Sequence, residues 1–109
     1  QGMIGRSELS RMKPTATLVN IARGPVVDTA ALTAALQNGE IHSAALDVTD
    51  PEPLPRDHPL LGMDNVTLTP HLGTASEQTR QRMNEVSVEN LFRGIHGEPL
   101  LYEVKPEDP

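Results

Sequence analysis

Arg23, Glu52 and His71 are the residues of this chain whose types and surroundings could do chemistry together. Arg23 stands in Asn20-Ile-Ala-Arg-Gly-Pro-Val-Val-Asp28, Glu52 in Ala45-Leu-Asp-Val-Thr-Asp-Pro-Glu-Pro53, and His71 in Thr69-Pro-His-Leu-Gly73. Each segment opens apolar or β-branched and then ends in one polar group. A guanidinium fork can grip a carboxylate through two parallel bonds. Histidine's ordinary pKa, about 6.5, suits reversible proton transfer near neutrality. Together they suggest acid–base chemistry on a carboxylate substrate.

Each residue also has a plainer reading. Arg23 could be a surface arginine in a strand–helix connection, Glu52 a solvated loop acid, and His71 a packed ring bonded within its own loop. Flanking prolines stiffen the loop around Glu52, so its carboxylate can keep a fixed relation to a partner. His42, His58 and His96 stand in polar, helix-end or proline-adjacent contexts that suit solvated rings. Asp47 ends an apolar run, where an aspartate either bonds backbone at the strand edge or meets a ligand. Spacing alone does not choose between these. No His/Asp/Glu pattern has metal-ligand spacing, so no metal is expected.

The elements that must position these groups alternate. Gly5 to Met12 reads as a short helix with Ser7 as its cap and Leu9 and Met12 as its apolar face. Thr15 to Ala22 reads as a strand buried on both faces. Asp28 caps a helix that buries Leu32, Ala35 and Leu36 and stops at Asn38-Gly39. A second strand lies within Ile41 to Val48, the stiff loop Asp50 to Pro55 follows, and Asn65 to Thr69 forms a third strand. A helix from about Ser76 to His96 matches a capping-box spacing at Thr74 and Glu77. It carries the apolar stripe Val88, Leu91, Phe92, Ile95, and a loosely ordered tail starts at Glu98. This grammar is an α/β layer with a parallel sheet. Ligands of such sheets bind outside the carboxyl ends of the strands, where Arg23, Glu52 and His71 all fall.

The chain has 109 residues and a formal net charge of −6. Its basic residues are scattered, which argues against a nucleic-acid or anionic-membrane surface. There is no cysteine and no apolar run of membrane-spanning length. A cytoplasmic protein is expected. The first residue is Gln1, which hints that the natural N-terminus lies elsewhere.

The three motifs resemble the C-terminal part of the D-isomer-specific 2-hydroxyacid dehydrogenases, from about Met3 to Val104. The run Asp47 to Leu61 looks most like their glyoxylate/hydroxypyruvate reductase branch. The resemblance implies the second half of a doubly wound, Rossmann-like dinucleotide-binding domain in residues 1–75. Residues 76–109 would be a return helix and tail that pack on a substrate domain outside this chain. It implies NAD(P)H-dependent reduction of small 2-oxo acids to D-2-hydroxy acids, with NADP favoured over NAD by the branch. Arg23 would bind the substrate carboxylate, and a His71–Glu52 pair would supply the proton. Ile21, Ala22, Arg23, Asp47, His71, Leu72, Gly73 and Thr74 would touch the nicotinamide end of the cofactor.

The same resemblance implies a homodimer for the full-length protein. Glu52 argues against formate oxidation, where the relatives carry Gln. No glycine-rich phosphate fingerprint occurs in the chain, so the isolated 109 residues should be inactive. Two alternatives stand beside this: a non-catalytic, co-repressor-like interaction module, and the same chemistry on 2-ketogluconate.

Overall fold

The computed structural model describes residues 2–105. The chain divides into two units, residues 1–73 and 74–109.

In the first unit three strands, β1 (Thr17–Asn20), β2 (Ser43–Leu46) and β3 (Val66–Leu68), form a parallel sheet in the order β1-β2-β3. The register pairs Leu18 with Ala44 and Ala44 with Val66, then Asn20 with Leu46 and Leu46 with Leu68. Because side chains alternate along a strand, this register puts those six on one face. Helices α1 (Arg6–Leu9) and α2 (Thr29–Gln37) supply the rest of the core: Leu9 from α1 and Leu32, Ala35 and Leu36 from α2, joined by Ile41 and Leu60. Asp28 begins α2 as expected, its carboxylate accepting from the Ala31 amide at 2.9 Å. Gly39, at φ +67, ends that helix in the left-handed region.

Three details of this unit differ from the sequence reading. β1 and β3 are shorter than expected, and at the end of β1 the Asn20 side chain takes over the bonding. β1 is buried on one face only: Leu18 and Asn20 point inward, whereas Val19 is 63% exposed. Helix α1 starts after Gly5 instead of Ser7, since the Glu8 carboxylate reaches back to accept from the Gly5 amide. Leu9 and Met12 still face the core.

In the second unit α3 (Glu77–His96) is capped by Ser76, whose hydroxyl accepts from the Thr79 amide at 3.2 Å. The cap is therefore not Thr74. Gly97, at φ +70, closes the other end. The tail after Glu98 is more fixed than expected up to Leu101. The Asn90 side chain bonds both the carbonyl and the amide of Leu101, at 3.1 and 2.7 Å. The last four residues, 106–109, lie outside the described residues. Val88, Leu91, Phe92 and Ile95 are all exposed.

Candidate active site

The three sheet strands run the same way, so their carboxyl ends open onto one edge, and the loops that leave them carry the expected residues. After β1 the turn Ile21–Arg23 leads into a 3-10 turn at Gly24–Val26. The Arg23 guanidinium is exposed, and one of its N–H groups donates to the Ala22 carbonyl at 2.8 Å. Among the described residues it joins no ion pair.

After β2 comes Asp47, then the proline loop that carries Glu52, with cis peptide bonds at Asp50–Pro51 and Glu52–Pro53. One Glu52 oxygen accepts from the Thr49 amide at 3.2 Å, and the other meets Nδ1 of His71 at 2.7 Å. That bond, followed by the Thr49 amide, holds the Glu52 carboxyl below the usual carboxylate range. An ionised carboxylate only accepts, so Nδ1 carries the proton and donates. The other ring nitrogen, Nε2, is left to face whatever binds. Both side chains are partly open to solvent, His71 at 46% and Glu52 at 42%.

His71 has φ +55, a left-handed conformation that costs a non-glycine residue on the order of 1–3 kcal/mol. Asp47 offsets this cost. Its backbone carbonyl accepts from the His71 amide at 2.9 Å. Its carboxylate accepts from the Thr69 hydroxyl at 2.5 Å and from the Leu72 and Gly73 amides, both at 2.7 Å. The Thr69 hydroxyl first, and then the two amides, pull the buried Asp47 carboxyl below its ordinary range. A side chain at position 73 would crowd that carboxylate, which explains a glycine there.

Tight contacts tie the loops together. A Cβ at Gly24 would lie inside the Thr49 carbonyl, so only glycine lets the Arg23 loop reach the β2 loop this closely. Beside it the Thr29 hydroxyl donates to the Asp50 carbonyl at 2.7 Å. A cavity of about 460 Å³ opens at the Glu52–His71 pair, walled by Leu54, Leu61, Leu68 and Pro70. Arg23 does not line it.

The structure thus brings Glu52 and His71 into direct contact and joins Asp47, His71, Leu72 and Gly73 in one bonded turn. Ile21, Ala22 and Arg23 lie in the neighbouring loop, and Thr74 begins the second unit. Arg23 bonds neither member of the pair. Residues with a part in this geometry that were not singled out from sequence include Asn20, Gly24, Thr29, Thr49 and Thr69. Asn20 is 6% exposed, and a buried polar side chain at a strand end signals an internal partner. Among the described residues no group of three His, Cys, Asp or Glu could hold a metal ion. None of their helices is long and apolar enough to cross a membrane.

Comparison with known proteins gives the same outline. Residues 1–73 match the family model for the D-isomer specific 2-hydroxyacid dehydrogenase NAD binding domain. Glyoxylate/hydroxypyruvate reductase B of Yersinia pestis (strain Pestoides F) is 53% identical over 95 residues, and its Enterobacter sp. (strain 638) counterpart is 50% identical. Each alignment covers 87% of this chain and 29% of the relative, so the chain spans under a third of the curated proteins it matches.

Among solved structures, an NADPH-dependent glyoxylate/hydroxypyruvate reductase from Sinorhizobium meliloti, in complex with citrate, superposes with a TM-score of 0.84 at 40% identity. That match covers 94% of this chain and 33% of the other. A D-isomer specific 2-hydroxyacid dehydrogenase from Xanthobacter autotrophicus Py2, in complex with NADPH and MES, gives 0.83 at 46% identity, covering 96% of this chain and 43% of the other. With a parallel sheet of the same Rossmann-like form and a family match over its whole first unit, the chain belongs to the D-isomer specific 2-hydroxyacid dehydrogenases.

Proposed function

We propose that this chain serves, within a full-length enzyme, as the substrate-facing half of the cofactor domain of an NAD(P)H-dependent reductase of small 2-oxo acids. The observation that carries the reading is the 2.7 Å contact between His71 Nδ1 and Glu52, at the strand-end edge that also bears the exposed Arg23. The 53% identity to a glyoxylate/hydroxypyruvate reductase favours glyoxylate and hydroxypyruvate as substrates over 2-ketogluconate.

The residues present fit the nicotinamide end of a dinucleotide. Asp47 spends three of about four carboxylate acceptor positions on the protein and keeps one for an amide donor. Ile21 is exposed beside it at the end of β1 and offers an apolar surface to a ring. When bound, the cofactor supplies the hydride. Relatives at 46% and 42% identity hold NADPH or NADP and two at 34% identity hold NAD, so the more similar ones favour NADPH here.

Arg23 keeps most of its five N–H donors free and binds the substrate carboxylate, fixing the 2-oxo group. His71 donates the proton from Nε2 to the carbonyl oxygen as negative charge develops there. Glu52 accepts from Nδ1, fixes the ring's orientation and stabilises its charged form. The product is a D-2-hydroxy acid, and the full-length protein is a homodimer. In this reading residues 1–75 belong to the cofactor domain, and residues 76–109 return to pack on the substrate domain.

Steady-state kinetics on the full-length protein test this. Glyoxylate or hydroxypyruvate should drive NADPH or NADH oxidation, and Arg23→Ala should raise the 2-oxo acid KM at least tenfold. An Arg23→Ala variant with unaltered KM would remove the assignment. The isolated 109-residue chain should show no turnover in the same assay.

The exposed stripe Val88, Leu91, Phe92, Ile95 on α3 favours a second reading, a non-catalytic interaction module. Turnover separates the two: under the second reading the full-length protein reduces no 2-oxo acid, and light scattering then shows it self-associating or capturing a partner.

A further inference from the structure

Asn20 is the last residue of β1 and is almost wholly buried. Its backbone carbonyl accepts from the Asp47 amide at 2.9 Å, which keeps it in register with β2. Its side chain closes the turn that follows from both sides. Oδ1 accepts from the Ala22 amide at 3.1 Å, and Nδ2 donates to the Arg23 carbonyl at 3.0 Å. The Ala22 carbonyl in turn accepts from Nη1 of Arg23 at 2.8 Å.

The guanidinium therefore bonds the peptide unit that lies between the two Asn20 holds, and its direction depends on their staying fixed. On the other side Gly24 is pressed against the Thr49 carbonyl, and the Thr49 amide donates to Glu52. Arg23 thus sits between two fixed points, one of which is shared with the Glu52–His71 pair.

We infer that Asn20 is a positioning residue that aims the Arg23 guanidinium at the substrate carboxylate. The inference rests on the role proposed above for Arg23. The chemistry requires an amide side chain. An aspartate keeps the acceptor for Ala22 and loses the donor for Arg23, while alanine loses both and frees the turn. A carboxylate grip needs two N–H groups correctly directed, so a turn that wanders weakens substrate binding before it affects the proton transfer.

The test is a double-mutant cycle on the full-length protein, read as KM for glyoxylate and for NADPH. Asn20→Ala is expected to raise the glyoxylate KM about tenfold, raise the NADPH KM by clearly less although Ile21 and Ala22 share the turn, and change kcat less than KM. In an Arg23→Ala background the same substitution is expected to add less than about twofold. A residue that merely supports the fold would act equally in both backgrounds, and that result overturns the inference. Where Asn20→Ala fails to fold, Asn20→Asp replaces it, and an unchanged glyoxylate KM for that variant also overturns it. Failure of the functional reading looks different, because Arg23→Ala alone would then leave the glyoxylate KM unaltered.

Discussion

Asp47 and Glu52 lie in the same connection after β2, yet their carboxylates do different work. Glu52 faces outward, spends one oxygen on the His71 ring and stays open to solvent. Asp47 is buried and turned on the backbone of the His71 turn. Both carboxyls titrate lower in the folded chain than in an unfolded one. Their stabilising contribution is therefore complete above the unfolded carboxylate value, about pH 4, and is lost as pH falls through the folded values. Asp47→Asn should lower Tm at pH 7 and flatten the fall in Tm between pH 5 and pH 3. An acid limb identical to that of the unsubstituted chain would show that Asp47 does not clamp the turn.

At this scale the two residues were legible in the sequence, because proline and glycine around Glu52 and His71 announce rigid strand-end loops, while their pairing followed from the family resemblance. The partners of Asp47 were not. They are backbone amides brought near only by the β2–β3 pairing, and no local spacing encodes them.

The parallel register of β1, β2 and β3 delivers three loops to one edge, and the close contact at Gly24 locks the first loop to the second. Gly24→Ala should cost roughly 1–3 kcal/mol, as overpacking does, because the obstructing atoms are backbone and cannot swing away. Urea unfolding checks this, and a midpoint within error of the unsubstituted chain would refute the contact.

The order and type of these elements followed from hydrophobic periodicity. Their limits did not, since β1 ends where the Asn20 side chain takes over the bonding. Helix caps were the weakest part of the reading. Ser7 and Thr74 have the right chemistry, but the chain turns at Gly5 and Ser76, and tertiary course decides which residue meets the free amides. Likewise, an apolar run implied that β1 was covered twice, and sequence alone could not say that Val19 faces outward in this chain.

Across the whole molecule, one edge of a small sheet carries every group that the proposed chemistry assigns to this chain, apart from Thr74. The chain matches under a third of its curated relatives, and the features that would hold the rest of a dinucleotide find no counterpart in its motifs. That division of labour explains why recognition from three short motifs worked, while the choice of 2-oxo acid rests on the relatives.

The most direct measurement is NADPH oxidation by the full-length protein with glyoxylate, compared with its His71→Ala variant at equal folded concentration. Loss of the proton donor should lower kcat by about 10²–10⁴-fold with the NADPH KM little changed. Turnover by the variant at the unsubstituted rate would contradict the assignment of His71 as the proton donor.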